Sequence, residues 1–185
     1  EKHLNDKFSQ NLDKSNVVIL GGTGPVGVAS AVICAKAGAN VTLVGRSLEK
    51  AEKIAGICND RYDSKNVKGG ADADKSDLFN VADIVLNTGA AGIQLMSKEH
   101  IKNSNTLKIC ADTNAVPPSG IAGVDVMDNG KVIDMSPSKC LGIGALAIGN
   151  IKYKSQHECL KLMYTSEKPV YLDFEDAFKF AQKSV

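Results

Sequence analysis

Residues 16–27 read NVVILGGTGPVG, an apolar, β-branched run that ends in a glycine-rich turn. Its glycines fit the spacing G-x-G-x-x-G at Gly22, Gly24 and Gly27, and small residues follow over 28–37. This pattern predicts a strand, a tight turn and a helix, the context in which such glycines bind a dinucleotide. The alternative is a glycine turn that merely joins the strand to the helix. Because both flanks have the required character, the sequence favours nucleotide binding.

The residues of this turn have predicted roles in holding a dinucleotide. Gly22 permits the sharp turn, Gly24 lets the backbone approach a pyrophosphate, and Gly27 lets the helix pack close to the strand. Pro25 suits the first helical turn, where a backbone N–H group is not needed. The free N–H groups at the start of the helix, together with its dipole, favour an anionic phosphate. The predicted contacts of the turn are Gly22, Thr23, Gly24, Pro25, Val26 and Gly27.

The end of the second predicted strand, residues 40–45, indicates which dinucleotide is bound. An NAD site usually places Asp or Glu about 20 residues past the glycines, where it holds the ribose 2′-hydroxyl. This strand is followed instead by Arg46 and Ser47, with Lys50 one turn into the next helix. A guanidinium and an ammonium can hold a 2′-phosphate, so the sequence favours NADP over NAD. The alternative is that Arg46 and Lys50 are solvated surface charges; Ser47 can be a helix cap as well as a ligand.

Length and composition predict a single domain and exclude several classes of protein. The chain has 185 residues, of which 43% are apolar, enough to build one core. Its formal net charge is +1 and it contains no long basic run, which argues against a nucleic-acid partner. The sequence contains no apolar stretch long enough to span a membrane and no recognisable signal peptide. We therefore expect a cytoplasmic protein.

Neither the cysteines nor the histidines have the spacing of a metal site. The cysteines are widely separated and form no C-x-x-C motif, which is typical of buried thiols in a reducing compartment. The histidines are equally dispersed, so we expect no bound metal. The residues concerned are Cys34, Cys58, Cys110, Cys140, Cys159, His3, His100 and His157.

Apolar strands alternate with helices along the chain. Strands are predicted at 16–21, 40–45, 67–70, 82–88, 106–112 and about 131–135, and helices at 25–38, 47–61, 75–80, from 97, from the stretch 142–150 through about 165, and at 173–183. This alternation predicts an α/β fold with an open, doubly wound, parallel sheet. We expect residues 1–15 to be a linker or helix remnant leading from a missing N-terminal domain, and residues 16–185 to form a single nucleotide-binding domain.

Four glycine-rich or polar turns follow predicted strands, at 22–27, 45–50, 87–92 and 112–118. Ligands of a doubly wound sheet bind beyond the carboxyl ends of its strands, so these turns are expected to meet at one edge. The last two turns supply further predicted cofactor contacts, Asn87, Thr88, Gly89, Ala90, Asp112 and Asn114. The alternative is that turns between strands and helices are polar and glycine-rich in any protein.

The sequence predicts no catalytic acid–base dyad. No G-K-[ST] phosphate loop occurs, and no histidine accompanies an acid in a dehydrogenase pattern. Hydride transfer depends on orientation more than on acid–base help when the donor carbon carries no hydroxyl proton. The sequence therefore points away from alcohols and towards an amine-stabilised C–H bond.

Residues 21–27, 44–51, 87–92, 111–118 and 142–152 read GGTGPVG, VGRSLEKA, NTGAAG, ADTNAVPP and GIGALAIGNIK. Together these stretches resemble the C-terminal NADP-binding domain of the NADP-dependent methylene-tetrahydromethanopterin and methylene-tetrahydrofolate dehydrogenases. The resemblance implies a Rossmann-like domain and a part in one-carbon metabolism. The implied reaction is a reversible, metal-free hydride transfer between a methylene-pterin and NADP, which gives the methenyl form. A pterin C1 carrier is the implied substrate, and we expect a homo-oligomer.

The same resemblance bears on catalysis. Family members carry an N-terminal domain that forms much of the pterin cleft, and we expect that domain to be missing from this chain. Lys152 matches a family position where the chain returns towards the cleft, so the implied role is a polar contact near the nicotinamide or the pterin. Its alternative is a surface lysine whose stem lies along a helix.

Two other functions stay open. The chain could be a shikimate-dehydrogenase-like NADP oxidoreductase domain, or a non-catalytic NADP-binding module that senses redox state. The match over residues 112–118 argues against a sensor, which would not need that turn.

Overall fold

A computed structural model describes residues 1–184 as an α/β domain; Val185, the last residue of the predicted 16–185 domain, lies outside the described residues. Seven strands form one sheet: β1 Asn16–Leu20, β2 Asn40–Gly45, β3 Val67–Ala71, β4 Ile84–Asn87, β5 Ile109–Asp112, β6 Asn129–Val132 and β7 Leu141–Ile143. The helices are α1 Lys2–Phe8, α2 Pro25–Lys36, α3 Leu48–Tyr62, α4 Lys75–Val81, α5 Lys98–Asn103, α6 Ala145–Thr165 and α7 Phe174–Gln182, with a 3₁₀ turn at Asp72–Asp74.

The strand order is β3-β2-β1-β4-β5-β7-β6, the arrangement of an open, doubly wound sheet. This confirms the predicted fold class, with one correction. The sheet is not wholly parallel, because β6 pairs antiparallel with β7 at one edge. Strand β6 begins at Asn129, two residues before the predicted start, and β7 was not predicted at all. Its sequence is only Leu-Gly-Ile, too short and too rich in glycine to show a strand pattern.

Both faces of the sheet are buried, which explains why β1 is apolar at nearly every position. Val17 and Ile19 pack into the core on one face, and Val18 and Leu20 pack into the core on the other. Helix α1 packs on the first of these cores, where Leu4 is fully buried. Residues 1–15 therefore carry a helix that packs against the domain.

Side-chain caps mark the starts of three helices, one of them at the predicted Ser47. The Ser47 hydroxyl accepts a hydrogen bond from the N–H of Lys50 at the start of α3. Ser97 and His100 form a reciprocal cap at the start of α5, and Asp173 and Asp176 do so at the start of α7. Within residues 1–184, no helix combines the length and the apolar character needed to cross a membrane.

Candidate functional site

A cleft of about 500 Å³ opens at the carboxyl ends of β1, β2, β3 and β4. Its lining residues are Gly21, Thr23, Gly24, Val44, Gly45, Arg46, Asp72, Thr88, Gly89, Ala90, Ile93 and Leu95. Six of the predicted contact residues are therefore brought together here: Thr23, Gly24, Arg46, Thr88, Gly89 and Ala90. The cleft lies where a doubly wound sheet binds its ligands, beside the point at which the strand order reverses.

The glycines of the first turn have different structural roles. The left-handed residue of this turn is Gly21, with φ of 66°. A Cβ at Gly22 would lie 2.6 Å from the Leu43 side chain, and one at Gly27 would lie 2.5 Å from the backbone of Gly22. Close packing therefore requires glycine at both of these positions.

Gly24 differs from its neighbours because packing does not require it. A Cβ there would have one close neighbour, the carbonyl oxygen of Gly21 at an ordinary 3.7 Å. Its φ of −87° and ψ of 170° are open to any residue. The space beside Gly24 belongs to the cleft, so a ligand that approaches the backbone can explain the glycine.

The start of α2 presents free donors to the same cleft. Gly24 is the N-cap residue, no side chain caps the helix, and Pro25 occupies the first turn. The first intrahelical hydrogen bond runs from the N–H of Val28 to the carbonyl of Gly24. The N–H groups of Val26 and Gly27 precede that bond and have no acceptor within the helix. Such a helix start can bind a phosphate group.

The positive side chains of the site lie at the end of β2. Arg46 and Lys50 are exposed, and neither forms an ion pair within residues 1–184. Ser47 caps α3, as predicted, and its hydroxyl remains exposed at the surface. Arg46 lines the cleft, which leaves its guanidinium able to meet an anion there.

Asp72 also lines the cleft, although the sequence did not single it out. Gly45 pairs with Ala71 between β2 and β3, so Arg46 and Asp72 follow side by side at the carboxyl edge. The Asp72 carboxylate is paired with Lys75, whose Nζ lies 3.0 Å from one oxygen and 3.3 Å from the other. Because β3 reads as a weak strand with two glycines, its end was not recognised as part of the site.

The side chains of Asn87, Asp112 and Asn114 are buried and bond to one another and to nearby backbone. The Asn87 amide donates to Asp112 at 2.7 Å, and the Asp112 carboxylate also accepts from the N–H groups of Asn114 and Ile121. Asn114 in turn accepts from the N–H of Val116 and donates to a loop carbonyl. These side chains hold the 87–92 and 112–121 turns together beneath the cleft.

The side chain of His100 has a structural role in the cap of α5. His100 lies beside Lys75, and its pKa is lowered chiefly by burial and then by that ammonium group. Its Nδ1 accepts from the N–H of Ser97 in the cap of α5, and its Nε2 lies 3.3 Å from the Ser76 hydroxyl. The His100 ring is therefore held in place as part of the cap of α5. In the described part of the chain, no group of three or more His, Cys, Asp or Glu residues could hold a metal ion.

Lys152, the predicted catalytic contact, lies away from the cleft, and so does a Tyr–Lys pair that was not predicted as a dyad. Lys152 is exposed on α6, two turns past the start of the helix, and is not among the lining residues. Tyr164 and Lys168 have the Y-x-x-x-K spacing of short-chain dehydrogenases. Tyr164, however, is 91% exposed at the far end of α6, and neither residue lines the cleft.

Fold, glycine turn and cleft together define a Rossmann-type domain of the kind found in dehydrogenases. Quinate dehydrogenase from Corynebacterium glutamicum in complex with NAD matches with a TM-score of 0.59 and 15% identity, over all of this chain and 60% of that one. Shikimate 5-dehydrogenase from Listeria monocytogenes in complex with shikimate and NAD matches with a TM-score of 0.53 and 16% identity, over 80% of this chain and 51% of that one. These identities establish the fold alone.

Sequence comparison finds relatives with higher identity than the structural matches have. The chain is 38% identical over 181 residues to the NAD(P)-dependent methylenetetrahydromethanopterin dehydrogenase of Methylorubrum extorquens, over 96% of this chain and 60% of that protein. It is 37% identical over 169 residues to the bifunctional protein MdtA of the same organism, over 90% of this chain and 57% of that protein. No family model matches the chain. The first of these matches confirms the predicted resemblance to a methylenetetrahydromethanopterin dehydrogenase, and the chain spans about 60% of the length of the proteins it matches.

Proposed function

We propose that this chain is the cofactor-binding part of an NADP-dependent dehydrogenase of one-carbon metabolism. The reaction is hydride transfer between methylene-tetrahydromethanopterin, or methylene-tetrahydrofolate, and NADP, which gives the methenyl form. One observation carries the proposal, which is that a single cleft contains three features suited to a dinucleotide. These are the open space beside the Gly24 Cα, the start of α2 without a side-chain cap, and Arg46 without an ion-pair partner in the described residues. The name of the methylenetetrahydromethanopterin dehydrogenase that the chain matches favours this pterin reaction over a shikimate-type reaction or a sensor.

The proposed cofactor contacts follow from these positions. The pyrophosphate is assigned to the turn of Gly22, Thr23 and Gly24 and to the start of α2, where the N–H groups of Val26 and Gly27 are free. The 2′-phosphate is assigned to Arg46, with Ser47 and Lys50 beside it. The nicotinamide half of the cofactor is assigned to the opposite wall of the cleft, which is formed by Thr88, Gly89 and Ala90. Asn87, Asp112 and Asn114 would act by fixing the two turns in place.

When bound, the nicotinamide ring supplies the site that accepts or gives the hydride. The methylene carbon loses a hydrogen with its electron pair, and no hydroxyl proton has to be removed. The chain's task is therefore orientation and exclusion of water, for which Ile93 and Leu95 provide apolar surface at the cleft. The absence of histidine from the cleft lining fits this chemistry.

The proposal extends to the substrate domain, to the role of Lys152 and to the oligomeric state of the whole protein. Residues 1–15 would lead from a preceding substrate domain, and the pterin would bind between that domain and the cleft. Lys152 would contact the nicotinamide or the pterin from α6. A homo-oligomer in the cytoplasm is the proposed state of the protein.

Hydride transfer with each methylene-pterin tests this function. The 185-residue chain is expected to bind NADP(H) yet transfer hydride at least about a hundredfold more slowly than a form extended to the length of its relatives, because half a cleft cannot orient the substrate. The measurement is the rate of NADPH formation with both pterins. Full activity of the 185 residues alone would contradict the need for a second domain. An extended form that is inactive with every C1-pterin would overturn the proposed reaction.

A further inference from the structure

We propose that His100 is a proton-sensitive latch between two walls of the cleft, and that protonation of its ring in mild acid opens the latch and weakens dinucleotide binding. The latch consists of the two hydrogen bonds that the ring makes, one with Ser97 and one with Ser76. The effect on binding rests on the proposed function, whereas the latch itself is a property of the chain without a ligand.

The two partners of the His100 ring belong to segments that line different walls of the cleft. Ser97 follows the 88–95 segment, which leaves the end of β4 and supplies five of the lining residues. Ser76 lies in the first turn of α4, next to Lys75, and Lys75 is paired with the lining residue Asp72 after β3. The His100 ring therefore connects the segment after β4 to the segment after β3.

Both hydrogen bonds of the latch require the neutral form of the imidazole. Nδ1 of His100 accepts from the N–H of Ser97 at 3.1 Å, so the proton of the neutral ring lies on Nε2, which donates to the Ser76 hydroxyl at 3.3 Å. A protonated imidazole carries a hydrogen on each nitrogen and cannot accept. The Ser97 N–H would then face another N–H group, so the ring has to turn away and both hydrogen bonds are lost together.

The surroundings of the ring favour its neutral form. Burial is the main cause that lowers the pKa of His100, whose ring centre lies 5.1 Å from that of the buried Phe79, and the Lys75 ammonium lowers this pKa further. The carboxylates of Glu99 and Asp72 act in the opposite direction. The folded chain thus binds this proton more weakly than the unfolded chain does. The stability that the latch contributes is therefore complete above the usual histidine pKa of about 6.5 and is lost as the pH falls through the lower pKa of the folded state.

The test compares wild-type protein with His100→Gln at about pH 7.5 and about pH 5.5, on either side of the usual histidine pKa. Glutamine at this helix position can also accept from the N–H of the cap residue, but it does not titrate. Between these two conditions, the affinity of wild-type protein for NADP⁺ should fall about three- to tenfold more than that of His100→Gln, the effect of about one hydrogen bond. Titration of the cofactor's own phosphate affects both proteins alike.

His157→Gln is the matched control for the calorimetric titrations. His157 is exposed on α6 and does not line the cleft, so this variant should keep the pH dependence of wild-type protein.

Amide hydrogen exchange follows the latch when no cofactor is present. The N–H of Ser97 should be protected near neutral pH in wild-type protein and in His100→Gln, because both side chains can accept from it. In mild acid, after correction for the intrinsic exchange rate, its protection should fall at least about threefold in wild-type protein and stay unchanged in the variant.

Equal pH dependence of wild-type protein and His100→Gln in hydrogen exchange would overturn the inference. Loss of Ser97 protection without a change in affinity would contradict the connection to the cleft. If wild-type protein binds no dinucleotide at any pH, the proposed function fails, and hydrogen exchange still tests the latch.

If His100→Gln does not fold, NMR titration of the wild-type imidazole replaces the comparison. A neutral ring with its proton on Nε2, and a Ser97 amide signal that shifts as the ring titrates, would support the latch. A proton on Nδ1, or a Ser97 signal that does not follow the ring, would contradict it.

Discussion

Replacing Gly24 with valine is expected to abolish the binding of NADPH and NADH while leaving the free chain folded. The branched side chain would fill the space through which the pyrophosphate approaches the backbone. Loss of two charge-assisted hydrogen bonds, at about 1.5–3 kcal/mol each, raises the dissociation constant by about a hundredfold or more. Because a Cβ at Gly24 has only the carbonyl of Gly21 near it, at 3.7 Å, the cost to the free chain is small. A poorer helix cap should lower its thermal midpoint by about 2–4 °C.

Gly27→Ala is the matched control for this variant. A Cβ at Gly27 would lie 2.5 Å from the Cα and the carbonyl oxygen of Gly22, so the backbone must shift. Overpacking of this kind costs about 1–3 kcal/mol, and the loss of stability should appear without any ligand. Thermal melts and cofactor titrations of both variants separate the two roles. Gly24→Val protein that is unfolded, or that binds NADPH normally, would contradict the assignment of Gly24 to the phosphate site.

Asp112→Ala is expected to destabilise the chain strongly even when no ligand is present. Asp112 is 1% exposed and accepts hydrogen bonds from the Asn87 amide and from the N–H groups of Asn114 and Ile121. Alanine leaves these three donors without their acceptor, which costs about 3 kcal/mol or more. For a chain of this size, that loss lowers the thermal midpoint by roughly 6–12 °C.

Thr113→Val is the control for the loss of one ordinary hydrogen bond in the same turn. The Thr113 hydroxyl donates to the carbonyl of Asn87 at 2.9 Å from an exposed position, so its removal should cost about 1 kcal/mol. Chemical denaturation of the two variants gives both values. If Asp112→Ala were as stable as wild type but bound NADPH poorly, Asp112 would contact the cofactor directly and would not act through the network.

Sequence patterns predicted the central part of the fold well, for a physical reason. Strands β1, β2, β4 and β5 are apolar because both faces of the sheet are covered, and β1, β2 and β4 are each followed by a helix. The edge beyond β5 was predicted poorly. Strand β6 is exposed along most of its length and carries a bulge, and β7 has three residues, so neither shows a regular hydrophobic period.

The parts of the candidate site that follow local sequence rules were predictable. The parts that depend on contacts between residues distant in the sequence were not. The glycine turn and Arg46 follow local rules, and the structure brings them to one cleft. The hydrogen bond that the Asn87 amide donates to Asp112 joins residues 25 positions apart, which no local pattern reveals. Asp72 was missed because its place beside Arg46 depends on the register of β2 with β3.

Titration of the 185-residue chain with NADPH and with NADH tests the central claim most directly, which is that this domain holds NADP through its glycine turn and Arg46. Calorimetry at moderate salt should give saturable binding of one NADPH per chain. NADH should bind at least about tenfold more weakly, because it lacks the charge-assisted contacts of the 2′-phosphate, and Arg46→Ala should remove most of this difference. Equal affinities for the two cofactors would contradict the assignment of Arg46, and the absence of binding to either would contradict the account as a whole.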